Sequence, residues 1–324
     1  MTTTTAQIES PREAADLLCA GGLVAFPTET VFGLGVDATS EQAVRKLFDA
    51  KGRPSSNPLI VHVADPERWS DAAASLTPNA EKLLAEFSPG PLTVVLPKRA
   101  EVSMLVTAGL DTVGVRVPDH PVAQEVLRLA GRPIAAPSAN RSGRPSGTRW
   151  RSVLEDLNGR IDAVYRQDGS SLGLESTVVD CTGPVAMVLR PGAVTIEQIR
   201  SVLPDALESL DSSQGSDDVA VRSPGTAHPH YQPVAEVRLV DSLESVDIPS
   251  GDRVAYCGIQ PVEQQDALAM CAVFKTLDEY ATAFYEFLRE ADRCGATTVF
   301  VQRAPDRGIG HALLDRQLRA AGER

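Results

Sequence analysis

Leu23-Val24-Ala25-Phe26-Pro27-Thr28-Glu29-Thr30-Val31-Phe32-Gly33-Leu34-Gly35-Val36-Asp37-Ala38 is the stretch on which the fold turns. Leu23–Phe26 is a short apolar run closed by Pro27 and reads as a buried strand. After the polar segment and the glycines, Thr39-Ser40-Glu41-Gln42 has the pattern of a helix N-terminus, for a helix running to about Ala50. Gly33–Ala38 satisfies G-x-G-x-x-A. Yet Pro27–Thr30 separates strand from glycines, whereas a dinucleotide fingerprint begins as the strand ends. The glycines are therefore read as serving close backbone packing and a turn.

Outward from this stretch, helical periodicity covers Pro11–Ala20, stopped by Gly21-Gly22, and again Ala80–Phe87 and Val122–Ala130. Strands are expected at Pro58–Val63, Leu92–Leu96, Val113–Val117, Ile134–Ala136, Thr177–Asp180 and Ala186–Leu189, with a capped helix from Thr195. Hairpins mixed with helix crossovers predict an α/β fold with a mixed sheet. From Leu207 to Ala220 the chain turns to Ser, Asp, Gly and Gln, a linker composition. Beyond it, strand-like Ala235–Val240, Arg253–Cys257, Ala272–Lys275 and Thr298–Val301 alternate with helical Leu277–Cys294 and His311–Ala321, which suits a small parallel α/β domain. The expected division is 8–203, a linker over 204–233, and 234–324.

Of the 324 residues, 43% are hydrophobic and only 5% aromatic, so the core is aliphatic. The net charge is −12, with 20 basic against 23 acidic residues up to position 200 and 11 against 20 beyond it. A protein that grips nucleic acid through its phosphates carries a basic face. Strong direct nucleic-acid binding is therefore not expected, and any cationic site must be a local pocket. The five cysteines, Cys19, Cys181, Cys257, Cys271 and Cys294, have no C-x-x-C spacing, so neither a disulfide framework nor a zinc site is suggested. Met1–Glu9 lacks an apolar h-region and no apolar run approaches the ~20 residues of a membrane span. The chain reads as cytoplasmic.

No P-loop, H-E-x-x-H or G-x-S-x-G occurs. What remains are polar loops between apolar strands: Pro27–Thr30, Lys51–Pro58, Pro137–Asn140 and Glu175–Thr177. Lys51 and Arg53 fit phosphate binding, but equally a solvated charge pair at a helix C-terminus. Ser138 and Asn140 fit either substrate donors or a plain turn. Arg116 and Arg190 lie among apolar strand residues and need a partner or a pocket.

Several of these segments together resemble the YrdC-type threonylcarbamoyl-AMP synthase family. They are Phe26–Gly35, Lys51-Gly52-Arg53-Pro54, Asn57–His62, Pro89–Thr93, Val115–Pro118, Ala136–Asn140, Glu175–Asp180 and Leu189–Gly192, in the family's order over about residues 10–200. Ser223-Pro224-Gly225, His230-Tyr231-Gln232-Pro233, Arg307–Ala312 and Ala320-Ala321 resemble the linker and closing motifs of its long, two-domain form. Thr226-Ala227-His228-Pro229 departs from the family's Met-Lys-Tyr linker, and Asp315 stands where the closing motif usually has Asn.

The resemblance implies a twisted mixed sheet with a concave cavity, joined to a smaller Rossmann-like parallel α/β domain. It implies condensation of L-threonine, bicarbonate (as CO2) and ATP to threonylcarbamoyl-AMP, the first step towards threonylcarbamoyladenosine in tRNA. It assigns Lys51, Arg53, Asn57, Thr112, Ser138, Asn140, Ser146, Arg190 and Gly225 to ATP, with Lys51, Arg53, Ser138 and Asn140 the catalytic set. Thr30, His62, Arg116, Ala136 and Ser176 fall to threonine, Arg116 being the partner of its carboxylate. His230 and Tyr231 are given to a linker lid. Mg2+ is expected to arrive on the ATP phosphates, and the product to pass to tRNA threonylcarbamoyl-transfer proteins. Two alternatives stand beside this: a carbamoyl phosphate-using carbamoyltransferase domain, and a non-catalytic RNA-binding module.

Overall fold

The computed structural model describes residues 4–209, 230–245, 253–263 and 268–323. The first sheet is built from β1 (Ala6–Ile8), β2 (Val24–Phe26), β3 (Gly33–Asp37), β4 (Ile60–His62), β5 (Leu92–Pro97), β6 (Thr112–Arg116), β7 (Ile134–Ala135), β8 (Ala163–Tyr165), β9 (Thr177–Asp180), β10 (Met187–Arg190) and β11 (Leu207–Glu208). Their order is β1-β8-β2-β3-β7-β4-β6-β5-β9-β10-β11, with parallel and antiparallel pairs mixed as expected. Helices cover both faces, which is why the strands are buried on both sides. Val24 and Phe26 face α1 (Pro11–Cys19) and α4 (Pro121–Ala130), while Ala25, Leu34 and Val36 face α2 (Glu41–Lys51) and α3 (Pro78–Phe87).

Local chemistry sets the ends of these elements. Ser40 caps α2 by accepting from the Ala43 amide, and Gly52 closes it in the left-handed region at φ 61°. Gly33–Asp37 forms β3, a strand that the sequence reading had merged into a loop. A Cβ on Gly35 would stand 2.6 Å from the Phe26 ring, so close packing does require glycine there. Further elements escaped the sequence reading, among them β1, β8 and α5 (Trp150–Leu157): the two strands are too short to repeat, and α5 opens at Arg149 without a capping side chain. Thr195 opens α6 (Ile196–Val202) with a full capping box. Leu207–Glu208, inside the stretch expected as linker, joins the sheet edge beside β10.

The second sheet holds β12 (Glu236–Val240), β13 (Val254–Gly258), β14 (Met270–Val273) and β15 (Thr298–Gln302) in the order β12-β15-β13-β14, all parallel. Against it pack α7 (Leu277–Arg293) and α8 (Ile309–Ala321). Tyr280, Phe284, Leu288 and Leu313 fill the shared core, which Val31 and Leu174 enter from the first unit and Tyr231 from the connecting segment. The outer face of α7 carries polar groups to the large sheet's side. Arg289 is buried against Asp156 at 2.7 Å, and Ser152 donates to Glu286 at 2.8 Å. Among the described residues, no helix is long and apolar enough to cross a membrane.

His311, on the first turn of α8, reaches Glu208 on β11 at 2.8 Å and also meets Asp306. The bond to Glu208, helped by Asp306 and opposed by burial, pushes the imidazole up to about 9. A raised folded-state pKa gives stability that is complete below the unfolded value near 6.5 and is lost as pH climbs through 9. We expect His311→Gln to lower the melting temperature by a few degrees at pH 6. The gap to wild type should close above about pH 9, as calorimetry at the two pH values will read.

Candidate active site

One concave cavity opens where several strands end, and it is floored by the Pro27–Gly33 loop. His62 ends β4 and Arg116 ends β6; these strands are parallel and pair His62 with Arg116, so the two side chains stand side by side. Ala136, Ser138 and Asn140 follow β7, and Ser138 bridges to Gly33. Ser176 precedes β9. Arg190 ends β10 just past a shift of register at Val188, the kind of irregularity that re-aims a side chain. Lys51 is the last residue of α2, and Arg53 follows its glycine cap.

Lys51 is buried, which excludes the solvated charge pair: its ammonium donates to the carbonyls of Ser138 at 2.6 Å and Asn140 at 2.5 Å. Burial, reinforced by Arg53, holds it well below the usual lysine range. Arg53 donates from Nε to the Asn57 carbonyl at 3.2 Å and from Nη2 to Pro58 at 2.8 Å. Burial draws it down to about 9, so it stays charged at neutral pH. Arg190 donates to the Ser176 carbonyl at 2.9 Å and to its hydroxyl at 3.2 Å, and that hydroxyl also contacts Thr93 at 2.8 Å.

Arg116 has the partner that its apolar setting demanded. Its Nη2 lies 2.6 Å from Glu29 Oε1 in a buried ion pair that lacks the directionality of a hydrogen bond. His62 beside it is pushed down to about 3 by burial and by Arg116, partly offset by the Ile60 carbonyl. The imidazole is therefore neutral and able to hydrogen-bond a hydroxyl without adding charge.

Thr30, Lys51, Arg53, His62, Arg116, Ala136, Ser138, Asn140, Ser176, Arg190, His230 and Tyr231 all line the cavity. Three predicted residues lie off its wall. Asn57 is buried behind it, with its amide 3.3 Å from His230 Nε2. Thr112 lines a small neighbouring cavity that shares Pro58, Leu59 and Ile60. Ser146 is fully buried and donates to Glu175 at 2.6 Å. Gly225 lies outside the described residues.

Sequence reading passed over Glu29 and Glu175, although both sat in stretches already singled out. The signal was available: a carboxylate in a proline-led or strand-edge segment near an arginine that needed a partner. Tyr231 has φ 66°, a left-handed conformation that costs a non-glycine residue about 1–3 kcal/mol. Its ring is held against Tyr285 at 5.1 Å and over Arg316 at 5.7 Å.

A family model described as telomere recombination matches residues 16–192. A second, described as threonylcarbamoyl-AMP synthase, C-terminal domain, matches residues 194–322. The threonylcarbamoyl-AMP synthase of Pyrococcus abyssi is 38% identical over 321 residues, 97% of this chain and 94% of that protein. Its Bacillus subtilis counterpart is 39% identical over 326 residues, 96% and 93% of the two. The crystal structure of P. abyssi Sua5 complexed with L-threonine superposes with a TM-score of 0.89 at 36% identity, covering 99% of this chain and 98% of that one.

Because His62 is held neutral, its ring should show no protonation step near pH 6.5. Nitrogen chemical shifts of the imidazole, recorded from pH 5 to 8, are expected to stay flat. A midpoint near the ordinary histidine value would contradict the burial argument.

Proposed function

The chain belongs to the threonylcarbamoyl-AMP synthase family in its two-domain form, and on that premise we propose how its cavity carries out the reaction. The activity is that of a nucleotidyltransferase, the formation of threonylcarbamoyl-AMP for tRNA threonylcarbamoyladenosine synthesis. Its substrates in this reading are L-threonine, bicarbonate and ATP. The observation that carries it is the gathering of Lys51, Arg53, Arg116 and Arg190 around one buried cavity in a chain of net charge −12. Such a cluster calls for a ligand rich in anionic oxygen.

Arg116 takes the threonine carboxylate, with Thr30, neutral His62, Ala136 and Ser176 around the rest of the amino acid. The threonine amine, once deprotonated, adds to CO2 formed by dehydration of bicarbonate; the second N–H proton offsets the one that dehydration takes up, and an N-carboxylate is left. A carbamate oxygen then attacks the ATP α-phosphorus in line, the bond to the bridging oxygen breaks, and pyrophosphate departs. Lys51, Arg53 and Arg190, with Ser138 and Asn140, hold the phosphates as charge moves to the leaving group. Catalysis is then positioning and fixed charge, with no enzyme nucleophile needed.

Asn57, Ser146 and Thr112 support the nucleotide from behind or beside the wall. Mg2+ would arrive with ATP and would supply neutralisation of the phosphate charge. Glu175, a carboxylate on the wall, already accepts from Ser146, Tyr285 and Arg316, which fits an ion held by phosphate and water. A cytoplasmic location and transfer of the product to tRNA-modifying proteins belong to the same reading.

His230 and Tyr231 act as a lid. With both in place the cavity has a free volume of about 60 Å³, room for a few waters, whereas small-molecule sites run to roughly 300 Å³ or more. In this reading the pair lifts for ATP to enter and then excludes water. Tyr231→Ala should speed release of the intermediate in rapid-quench experiments; unchanged kinetics and release would remove the lid role.

Purified protein with threonine, bicarbonate, ATP and Mg2+ is expected to give threonylcarbamoyl-AMP by mass spectrometry, with equimolar pyrophosphate and dependence on all three substrates. Arg53→Ala should lower the rate by about 100-fold or more. An active, folded protein that makes no adduct would overturn the reading.

A further inference from the structure

We infer that Arg316, carried on α8 of the smaller domain, is a positioning residue for the ATP side of the active site. It fastens together the two segments that bear Ser176 and Arg190. The inference rests on the reaction proposed above.

The Arg316 guanidinium is fully buried and crosses between the two sheets' units with each arm engaged. Nε donates to Glu175 Oε2 at 2.9 Å, and Nη2 donates to the Pro191 carbonyl at 2.9 Å. Glu175 immediately precedes Ser176, and Pro191 immediately follows Arg190. One planar fork thus spans both chain segments one residue away from the pair that meets across the cavity wall. The third arm, Nη1, donates to Asp315 at 2.5 Å, and Asp315 also accepts from Arg319 at 3.1 Å. Asp315 therefore fixes the guanidinium plane from behind. The same guanidinium lies under the ring of Tyr231, so the lid residue rests on it too.

Charge makes this arrangement consequential for catalysis as well as for docking. Glu175 is buried, and burial works to raise its pKa; Arg316, followed by Arg190, more than offsets this and keeps it ionised. The carboxylate therefore sits under the influence of two arginines, one structural and one facing the cavity. Ser146 and Tyr285 complete its shell at 2.6 and 2.9 Å. Without Arg316, a buried negative charge is left with Arg190 as its nearby guanidinium. An unpaired buried charge is costly enough to rearrange its surroundings. Glu175 then draws Arg190 away from Ser176 and from the phosphates, and Ser146 shifts with the carboxylate it donates to. The threonine side meets this network only at Ser176; Arg116 and His62, at the ends of β6 and β4, stand outside it.

The test is ATP affinity by calorimetry, read beside KM for ATP and for threonine, in the full chain. Arg316→Met should weaken ATP at least about tenfold, from misplacement of the charge-assisted contact of Arg190, while KM for threonine, which depends on the network through Ser176 alone, rises several-fold less. Arg316→Lys keeps the charge but cannot span both acceptors, so an intermediate loss is expected, and it serves if the Met variant fails to fold. Adding Glu175→Gln to Arg316→Met should restore the part of the ATP affinity lost to the stranded charge, while the part lost with the Pro191 contact remains. Mere inter-domain adhesion predicts the opposite, a double variant at least as impaired as the single one. Unchanged ATP affinity in Arg316→Met, or parallel losses for both substrates with no rescue, overturns the inference. Wild type that binds ATP yet forms no adenylate would sink the proposed reaction and leave the ATP-affinity comparison standing; wild type that binds no ATP sinks both.

Discussion

Gathering positive charge in a place with little water is the constraint that organises this molecule. Lys51, Arg116 and Arg190 are drawn out of solvent around one cavity and Arg53 partly so, and each must find oxygen to offset lost hydration. Lys51 and Arg53 meet the demand with backbone carbonyls, from Ser138, Asn140, Asn57 and Pro58. Those carbonyls are available because proline- and glycine-punctuated loops leave them out of the sheet ladder. Arg116 meets it with the carboxylate of Glu29. Carbonyl dipoles hold a cation in place without cancelling its charge, so the cavity keeps an attraction for anions.

The second unit shares in this accounting of charge. Helices α7 and α8 bring Tyr285 and Arg316 to Glu175, while Arg289 on α7 pairs with Asp156. Buried ion pairs of this kind contribute little net stability, since desolvation consumes most of the attraction. What they do supply is register, because breaking one leaves an unpaired charge. The apolar part of the contact, where Val31, Leu174 and Tyr231 enter the core of α7 and α8, provides the adhesion. Apolar burial holds the two units together and the ionic contacts fix how they sit.

Tyr231 joins these themes in one residue. Its backbone occupies the left-handed region, its ring packs between Tyr285 and Arg316, and the next amide is tied to the Gly143 carbonyl at 2.8 Å. A strained conformation kept at the mouth of a cavity is sustained by its surroundings and is released when they change.

The sequence by itself determined much of the secondary structure and which loops border the cavity. Apolar runs, caps and glycine stops are local codes, so α1, α2, α4, β2, β9 and the parallel second sheet were legible, and so were the loops that carry Lys51, Arg53, Ser138 and Asn140. Short strands such as β1 and β8 were not, for a strand of three residues has no period to detect, and neither was α5, whose start carries no capping side chain. Pairings across the chain were decided by tertiary structure alone. Whether Lys51 lay on a solvated helix end or inside a cavity was open until Ser138 and Asn140, nearly ninety residues away, closed around it. Glu29 with Arg116 and Glu175 with Arg316 are likewise invisible in one dimension. The buried face of α8 did hold a hint, since Arg316 follows Ala312 and Leu313 at helical spacing, but a stripe of that kind says which residue is buried and never which partner it meets. Local propensity depends on neighbours in sequence, whereas charge compensation depends on distance in space, and only folding supplies that distance.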